Sequence, residues 1–582
     1  MRRHTPTHSR RPRLLALALA LLLAGCATVG PFPAGWPYPA GGEPARATRG
    51  MVVTTDDLAT RVGVDVLAAG GNAVDAAVAV HFALAVVNPA AGNLGGGGFM
   101  VLRAADGSAA ALDFREKAPL AATRDMFLGA QGEPTDRSIV GHLASGVPGS
   151  VAGMWAAHQR YGTLPWRALV EPAVRLARGF EVAPRFFNWM GESQVRLLSR
   201  FPASAAQFLP RDGRPPEVGD TLRQPDLAAT LARIRDQGRD GFYLGRTADL
   251  LVAEMERGGG IITHEDLATY EAVWREPVSF TYRGHTIISM PPPSSGGATL
   301  AMIGHMLERW DLGALGWHSP EAIHLTVEAW RRAFADRNQY LGDPDFVDVP
   351  LERLMSPEYA NERAASISPE RATPSAEVAP GLETVPRESV NTTHYSIVDA
   401  EGNAVAVTTT LNSWFGSGVT VAGAGFLLNN EMDDFSALPG SPNQYGLVQG
   451  EQNAIEPGKR MLSAMTPTIV LDPAGEVRMV TGSPGGPTII TTVFQVISNV
   501  LDHGMDLVEA VNAPRVHHQH LPDRIQYERG GLDPATVRAL EAMGHTLEER
   551  GGTSGDVQMI LVENGVLLGW SDPRRGGRAL GL

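Results

Sequence analysis

The sequence is poor in cysteine, in charged residues and in long apolar runs. Among its 582 residues the single cysteine is Cys26, so no internal disulfide can form and stability has to come from packing. Charged residues make up 19% and the net charge is −14, which argues against nucleic acid as a partner because phosphate binding needs a basic surface. Hydrophobic residues make up 43%, enough for a sizeable core in one large domain or two.

Several cofactor and metal motifs are missing as well. The glycine run Gly95–Gly98 lacks the Lys-Ser/Thr of a phosphate-binding loop and does not match GxGxxG. The segment His517–His520 has no HExxH or cysteine partner, and adjacent residues of a strand point to opposite faces. Ser483 does not lie in a GxSxG nucleophile elbow. The sequence therefore predicts neither a cofactor nor a metal site.

The first 50 residues have the composition of an export signal followed by a tether. Five arginines precede an apolar run over 14–24, which is shorter than the roughly 20 residues of a membrane span. The run ends in Leu23-Ala24-Gly25-Cys26, which resembles a bacterial lipobox, so residues 1–25 are expected to be a signal peptide and Cys26 to carry lipid. Ser9-Arg10-Arg11 weakly resembles a twin-arginine signal, which leaves the export route open. Residues 26–50 are rich in Pro and Gly, as a tether is.

Apolar periodicity divides the remaining chain into two parts. The first part is mainly helical, with helices predicted over 56–69, 73–87, 149–180, 224–238 and 319–337 and strands over 99–103, 109–114, 278–282 and 285–290. Residues 364–391 carry many Pro, Ser, Glu and Ala and few large apolar residues, which predicts a flexible linker. The part after the linker predicts strands over 393–398, 404–410, 467–471, 477–481, 557–562 and 566–570, with helices over 488–501 and 534–543.

The strand-rich part begins with Asn391-Thr392-Thr393-His394-Tyr395-Ser396. A threonine-rich strand start has an ordinary structural explanation, because threonine favours strands. Further motifs change this interpretation, and they occur in a fixed order at 93–99, 113–116, 408–412, 415–418, 428–436, 462–465 and 482–486. Together they resemble the γ-glutamyltransferases, and the resemblance covers nearly the whole chain beyond about residue 50.

This resemblance implies an α+β fold, the four-layer αββα sandwich of the N-terminal-nucleophile hydrolases. One precursor would be cut into a large subunit, 51–391, and a small catalytic subunit, 392–582, which together form the fold. The implied donors are glutathione and other γ-glutamyl compounds, and the implied acceptors are water, amino acids and dipeptides. With the lipobox, the implied location is the periplasm, with a lipid anchor at the outer membrane as the sole membrane attachment.

Thr392 is the expected nucleophile. Cleavage after Asn391 would give Thr392 a free α-amine with a pKa of about 7.7–8.0, so that the amine can accept the proton of the hydroxyl on the same residue. The resemblance implies that Thr410 orients Thr392 and that the N–H groups of Gly485 and Gly486 form an oxyanion hole.

The donor group carries an α-carboxylate and an α-ammonium, which need opposite charges at fixed places. The resemblance implies that Arg115 and Ser463 bind the carboxylate. It also implies that the ammonium is bound by Asn412, Glu431 and Asp434. Tyr445 is expected to belong to a lid loop over the substrate. The family's second serine is Ala464 here, so we expect a weaker hold on the carboxylate.

Two alternatives remain at this stage. A glutaryl- or cephalosporin-type acylase uses the same chemistry on an acyl group without an α-amine, and Asp434 and Tyr445 argue against it. An inactive surface lipoprotein could keep the fold as a binding module, and the intact Thr392, Thr410 and Gly485 argue against that.

Overall fold

The computed structural model describes residues 32–382, 392–438, 444 and 450–582. Within these ranges two seven-stranded antiparallel sheets lie face to face, and helices cover their outer faces. The predicted four-layer αββα arrangement is therefore confirmed. None of the helices in these ranges combines the length and the apolar character that a membrane span requires.

Each sheet combines strands from both halves of the chain. Sheet I has, in spatial order, Ala45–Ala47, Val566–Ser571, Gln558–Glu563, Val477–Thr481, Thr468–Leu471, His285–Ser289 and Val278–Tyr282. Sheet II has Arg578–Gly581, Met51–Thr54, Thr393–Val398, Ala404–Thr410, Gly97–Arg103, Ala109–Phe114 and Val273–Arg275. Because both sheets contain strands from before and from after residue 391, the two predicted subunits share one core.

Alternating side chains connect the layers. In sheet II, Val52 and Tyr395 belong to the core under one helical layer, whereas Val53 and Ala406 belong to the core between the sheets. Successive strand residues point to opposite faces, so a strand covered on both sides needs apolar residues at nearly every position. The continuous burial of Ala404–Thr410 fits this requirement.

The helices form the two outer layers. On sheet II lie Asp57–Ala68, Ala73–Val87, Ser150–Tyr161, Trp166–Arg178, Pro225–Gln237 and Gly245–Gly258. On sheet I lie Gly296–Leu307, Pro320–Tyr340, Pro357–Ala365, Pro487–Leu501, Leu507–Asn512 and Pro534–Ala542. The helical stretch expected over 149–180 consists of two helices, since the chain turns at Gly162 and Pro165 precedes the second helix.

Two segments expected to be free of the body pack against it. In the predicted linker, Ile367, Ser375 and Val378 are buried, and Arg331 donates hydrogen bonds to Ser375 and Asp523. Polar contacts to the helix Pro320–Tyr340 thus hold a segment that has few large apolar residues. Amino-acid composition predicts flexibility here because it does not reveal such contacts. Residues 383–391 lie outside the described residues.

The predicted tether packs in a similar way from residue 32 onwards. The Arg574 guanidinium lies over the rings of Trp36 and Tyr38, with its Cζ 5.4 and 4.9 Å from their centroids. Trp36 Nε1 also donates a hydrogen bond to the Asn512 carbonyl at 2.9 Å. Aromatic side chains over a buried cation explain why this Pro- and Gly-rich segment is fixed to the body.

His81 lies in the buried helix Ala73–Val87 and provides a test of its packing. Burial lowers the pKa of His81 to about 4, and its Nδ1 lies 3.3 Å from the Tyr395 hydroxyl. Between pH 6.5 and 4 the unfolded chain binds a proton that the folded chain does not, so acidification lowers the free energy of unfolding. We expect His81→Leu to remove about 1.4 kcal/mol per pH unit of this dependence.

Denaturant unfolding at pH 7 and pH 5, with parent and variant both carrying Thr392→Ala so that both are expected to stay one chain, measures the effect. The control is His264→Leu, since the His264 side chain is 60% exposed. An identical pH dependence in His81→Leu and the parent would show that His81 does not stay neutral in the fold.

Candidate active site

Thr392 lies where two central strands of sheet II end. Thr393 pairs with Thr409 in the register of the adjacent strands, which brings Thr392 beside Thr410. His394, two residues on from Thr392, packs between the sheets against Gly482. By strand alternation Thr392 faces the same inter-sheet space. Its side chain is 5% exposed, and its Oγ1 is buried without a hydrogen-bond partner among the described residues.

A small cavity of about 10 Å³ at this point collects most of the predicted residues. Its lining consists of Arg115, Thr392, Thr410, Asn412, Glu431, Asp434, Ser463, Ala464, Met465, Gly486 and Ile489. The structure thus brings the expected nucleophile, its expected orienting threonine and the expected donor-binding residues into one place.

Thr410 is held from two sides. The Asn412 N–H donates to Thr410 Oγ1 at 2.7 Å, and Asn93 Nδ2 donates to the Thr410 carbonyl at 2.8 Å. The glycine run explains how the Asn93 segment comes so close, because a Cβ at Gly96 would lie 2.0 Å from the Thr410 carbonyl oxygen. The run therefore serves close backbone approach around Thr410.

Gly485 and Gly486 form the turn between a strand of sheet I and the helix Pro487–Leu501. Both have positive φ, +138° and +62°, which favours glycine. Gly486 lines the cavity, and Gly485 flanks it while its carbonyl accepts the Thr488 hydroxyl at 2.7 Å. Neither N–H donates to another group among the described residues. Two such N–H groups at a helix N-terminus suit a developing negative charge.

The Arg115 guanidinium is the central charge of the site and is 1% exposed. Its Nη1 lies 2.9 Å from Glu431 and 3.4 Å from Glu116, and its Nη2 contacts Asp434. Two backbone carbonyls complete its surroundings, with Nε 3.2 Å from that of Met461 and Nη2 3.3 Å from that of Leu462. One cation thus faces three buried carboxyl groups.

Burial decides the protonation of these groups. It raises the pKa of Glu116 to about 7 and that of Glu431 well above its usual range, although Arg115 opposes both shifts. Burial also works to lower the pKa of Arg115, but the three neighbouring carboxyl groups outweigh it and raise that pKa. Arg115 therefore stays charged, while the carboxyl cluster holds a proton near neutral pH.

Glu431 is positioned for a ligand that donates hydrogen bonds. It is 1% exposed, and apart from the contact with Arg115 Nη1 at 2.9 Å neither carboxyl oxygen accepts a hydrogen bond from an N–H or alcohol hydroxyl group of the described residues. Its backbone N–H is fixed by Asn429 Oδ1 at 3.0 Å, and Asn429 Nδ2 donates to the Gly95 carbonyl at 2.8 Å. A buried carboxyl group with so few donors is costly, and a ligand that supplies more donors lowers this cost.

Ser463 is held through its backbone by a segment that the sequence did not single out. Its N–H donates to the Pro293 carbonyl at 2.9 Å, and its carbonyl accepts the N–H and the hydroxyl of Ser295, each at 2.7 Å. Arg337 Nε in turn donates to Ser295 Oγ at 2.9 Å. Ser463 Oγ accepts the Met465 N–H at 3.2 Å and keeps a hydroxyl proton to donate.

The site differs from the sequence prediction in a few members. Tyr445, Cys26 and Asn391 lie outside the described residues. Glu116 belongs to a motif that the sequence revealed, but its place beside Arg115 was not predicted. Ser295 follows a run of three prolines, a pattern that indicates a turn but no link to Ser463.

Two histidine clusters bear on metal binding. In the segment His517–His520 each ring has protein partners, for instance His517 with Thr491 at 2.8 Å and His518 with Asp523 at 3.2 Å. A second cluster, which no sequence motif indicates, consists of His324, Glu328 and His545. His324 and His545 share a hydrogen bond of 2.8 Å, and two arginines neutralise Glu328, so protein groups satisfy this cluster.

Comparison with known proteins gives a consistent result. The family model described as gamma-glutamyltranspeptidase matches residues 59–582. The glutathione hydrolase proenzyme of Escherichia coli K12 is 49% identical over 578 residues, which is 98% of each chain.

Two solved structures extend the likeness to the fold. A cephalosporin acylase from Bacillus halodurans has a TM-score of 0.83 at 29% identity, covering 94% of this chain and 99% of its own. A γ-glutamyltranspeptidase from Helicobacter pylori has a TM-score of 0.56 at 45% identity, covering 59% of this chain and 97% of its own. From the match over 59–582 and the near full-length identity, we conclude that the chain belongs to the γ-glutamyltranspeptidase family.

Proposed function

We propose that this protein is a γ-glutamyltransferase and glutathione hydrolase that is made as a self-cleaving precursor. The observation that carries the proposal is one cavity that joins Thr392 and Thr410 to Arg115, Glu431 and Asp434. A nucleophile and a paired set of charges in one buried place suit a donor that carries both an ammonium and a carboxylate next to its reacting acyl chain.

The reaction follows from the positions of these groups. Thr392 Oγ1 attacks the γ-carbonyl carbon of the donor, and the α-amine of Thr392 accepts the hydroxyl proton. The N–H groups of Gly485 and Gly486 stabilise the oxyanion, and the proton passes to the leaving amine as the C–N bond breaks. The resulting γ-glutamyl ester of Thr392 is then attacked by water or by the amine of an amino acid or dipeptide, which regenerates the hydroxyl.

The same hydroxyl group explains processing. In the precursor, Thr392 Oγ1 attacks the carbonyl carbon of residue 391, and the peptide becomes an ester that water hydrolyses. The new N-terminus supplies the amine that the transfer reaction needs. The buried Thr392 Oγ1, without a hydrogen-bond partner among the described residues, supports this role.

The electrostatics favour γ-glutamyl donors over the glutaryl donors of related acylases. A glutaryl group has a carboxylate but no ammonium, so it would bring no cation to the three carboxyl groups around Arg115. It would therefore forgo the charge-assisted hydrogen bonds that an ammonium makes there. An inactive binding module is disfavoured because Thr392, Thr410 and Gly486 line one cavity.

We propose further that the protein is exported and anchored through lipid on Cys26, on the periplasmic side of the outer membrane. Leu23 to Cys26 supports the modification, and Ala27 is compatible with sorting to the outer membrane. Phe32 already packs on Trp317, with ring centroids 5.4 Å apart. The six-residue step from Cys26 to Phe32 spans at most roughly 20 Å, so the anchor would hold the body close to the membrane.

Processing is tested first. We expect wild type to give two bands on a denaturing gel, with the small fragment beginning Thr-Thr-His-Tyr-Ser, because cleavage falls between Asn391 and Thr392. Thr392→Ala should stay uncut for lack of a nucleophile, and Thr392→Ser, which keeps the hydroxyl, should be cut. A fully active wild type that remains one chain would contradict the mechanism.

Donor recognition is tested at Asp434, which pairs with Arg115. We expect Asp434→Asn to lower kcat/KM for γ-glutamyl-p-nitroanilide by a hundred-fold or more, because a charged partner of the ammonium is lost. Cleavage into two chains should persist, since it involves no free ammonium. Asp106→Asn in an exposed turn is the matched control. Unchanged γ-glutamyl turnover in Asp434→Asn would favour the acylase alternative.

Localisation is tested at Cys26. We expect wild type to partition with membranes and Cys26→Ala to appear in the soluble fraction, because several acyl chains on one cysteine give a stable anchor. Mass spectrometry of the N-terminal peptide identifies the lipid. Equal membrane association of both proteins would rule out the lipid anchor.

A further inference from the structure

The Arg115 guanidinium has little capacity left for a substrate carboxylate. Five protein oxygens lie around its three nitrogens. Carboxyl oxygens of Glu431 and Glu116 are 2.9 and 3.4 Å away, and the carbonyl oxygens of Met461 and Leu462 are 3.2 and 3.3 Å away. The fifth belongs to Asp434. A guanidinium has five N–H groups, so an arriving carboxylate has to share or displace protein acceptors.

The other side of the carboxylate subsite is also weak. Ser463 offers one hydroxyl proton, while the adjacent cavity residue is Ala464, which is buried and has only a methyl group. One hydrogen bond to a charged group typically contributes about ten- to a hundred-fold in affinity. The α-carboxylate therefore meets one hydroxyl and an arginine that is already surrounded.

The ammonium subsite has the opposite character. Three buried carboxyl groups face Arg115, and apart from the 2.9 Å contact with Arg115 Nη1 neither carboxyl oxygen of Glu431 has a donor from an N–H or alcohol hydroxyl of the described residues. An ammonium brings three N–H donors and a positive charge to this cluster. Its arrival would also favour the ionised form of Glu431, whose pKa burial holds high.

We propose that the α-ammonium is the dominant recognition element of the donor, so that γ-linked donors with a neutral α-carboxamide or α-ester are also substrates. This inference rests on the proposed γ-glutamyl transfer and names its donor class. Such donors react at the same γ-carbonyl carbon, and the acyl group on Thr392 is then an α-amide or α-ester of glutamate.

Three anilides that differ in a single group test the inference on the cleaved, full-length protein. They are γ-glutamyl-p-nitroanilide, its α-carboxamide, and glutaryl-p-nitroanilide, which lacks the amine. We expect kcat/KM for the α-carboxamide to lie within about ten-fold of the parent, because one weakly held charge is lost. For the glutaryl compound we expect a loss of at least a hundred-fold, because the charge-assisted hydrogen bonds of the ammonium to the buried carboxyl cluster are all lost.

Ala464→Ser adds the missing hydroxyl and gives a second measurement. We expect it to lower KM for the parent by about ten-fold and for the neutral carboxamide by only about three-fold, since a neutral acceptor gains less. Ala474→Ser, the same change in an exposed turn of the small subunit, is the matched control.

The outcomes separate the inference from the proposed function. The inference alone is overturned if the parent compound is turned over but kcat/KM for the carboxamide is more than a hundred-fold lower. It is also overturned if kcat/KM for the carboxamide is lower than that for the glutaryl compound. An equal effect of Ala464→Ser on parent and carboxamide also overturns it, because the serine then does not act on the carboxylate. No turnover of any of the three by fully cleaved protein overturns the proposed function and the inference with it.

Discussion

The Arg115 guanidinium lies almost out of contact with water among three carboxyl groups, and much of the site is arranged around it. Taking such charges out of water costs several kcal/mol each, and only close pairing and hydrogen bonds offset that cost. Two partners come from the turn Glu431–Asp434, and two carbonyls come from the segment before Ser463. The charge cluster thus joins the predicted large subunit to two separate segments of the small one.

This arrangement links stability to recognition. Burial raises the pKa of Glu116 and of Glu431, so the cluster keeps a proton near neutral pH, and Glu431 has few donors besides Arg115. In the recognition proposed here, a donor ammonium relieves both conditions, and binding energy is directed to the end of the donor that glutaryl compounds lack. The small cavity beside Thr392 leaves little room for water to compete.

The sheets determine where the chemistry occurs. Thr392 directly precedes a central strand of one sheet and Gly486 follows a strand of the other, so the expected nucleophile and the N–H groups of the expected oxyanion hole meet in the inter-sheet space. A side chain between two sheets is shielded from water and held by neighbours on both sides. Asn93 and the glycine run add the close backbone contact that fixes Thr410. A rigid position of this kind suits the role proposed for Thr392, in which one residue carries both nucleophile and base.

Much of this was determined by the sequence alone. Periodicity placed the helix Ala73–Val87 and the strands Ala404–Thr410 and Val278–Tyr282 at their observed bounds, because local spacing of apolar residues reflects which face is buried. Ordered motifs indicated the fold and the residues that line the cavity. Tertiary structure alone decided the surroundings of Arg115, the hold of Ser295 on Ser463 and the packing of 364–382. These features depend on contacts between distant residues, such as that between Arg115 and Asp434, which are 319 residues apart. The charge state of such groups is set by their burial together and not by the local sequence pattern.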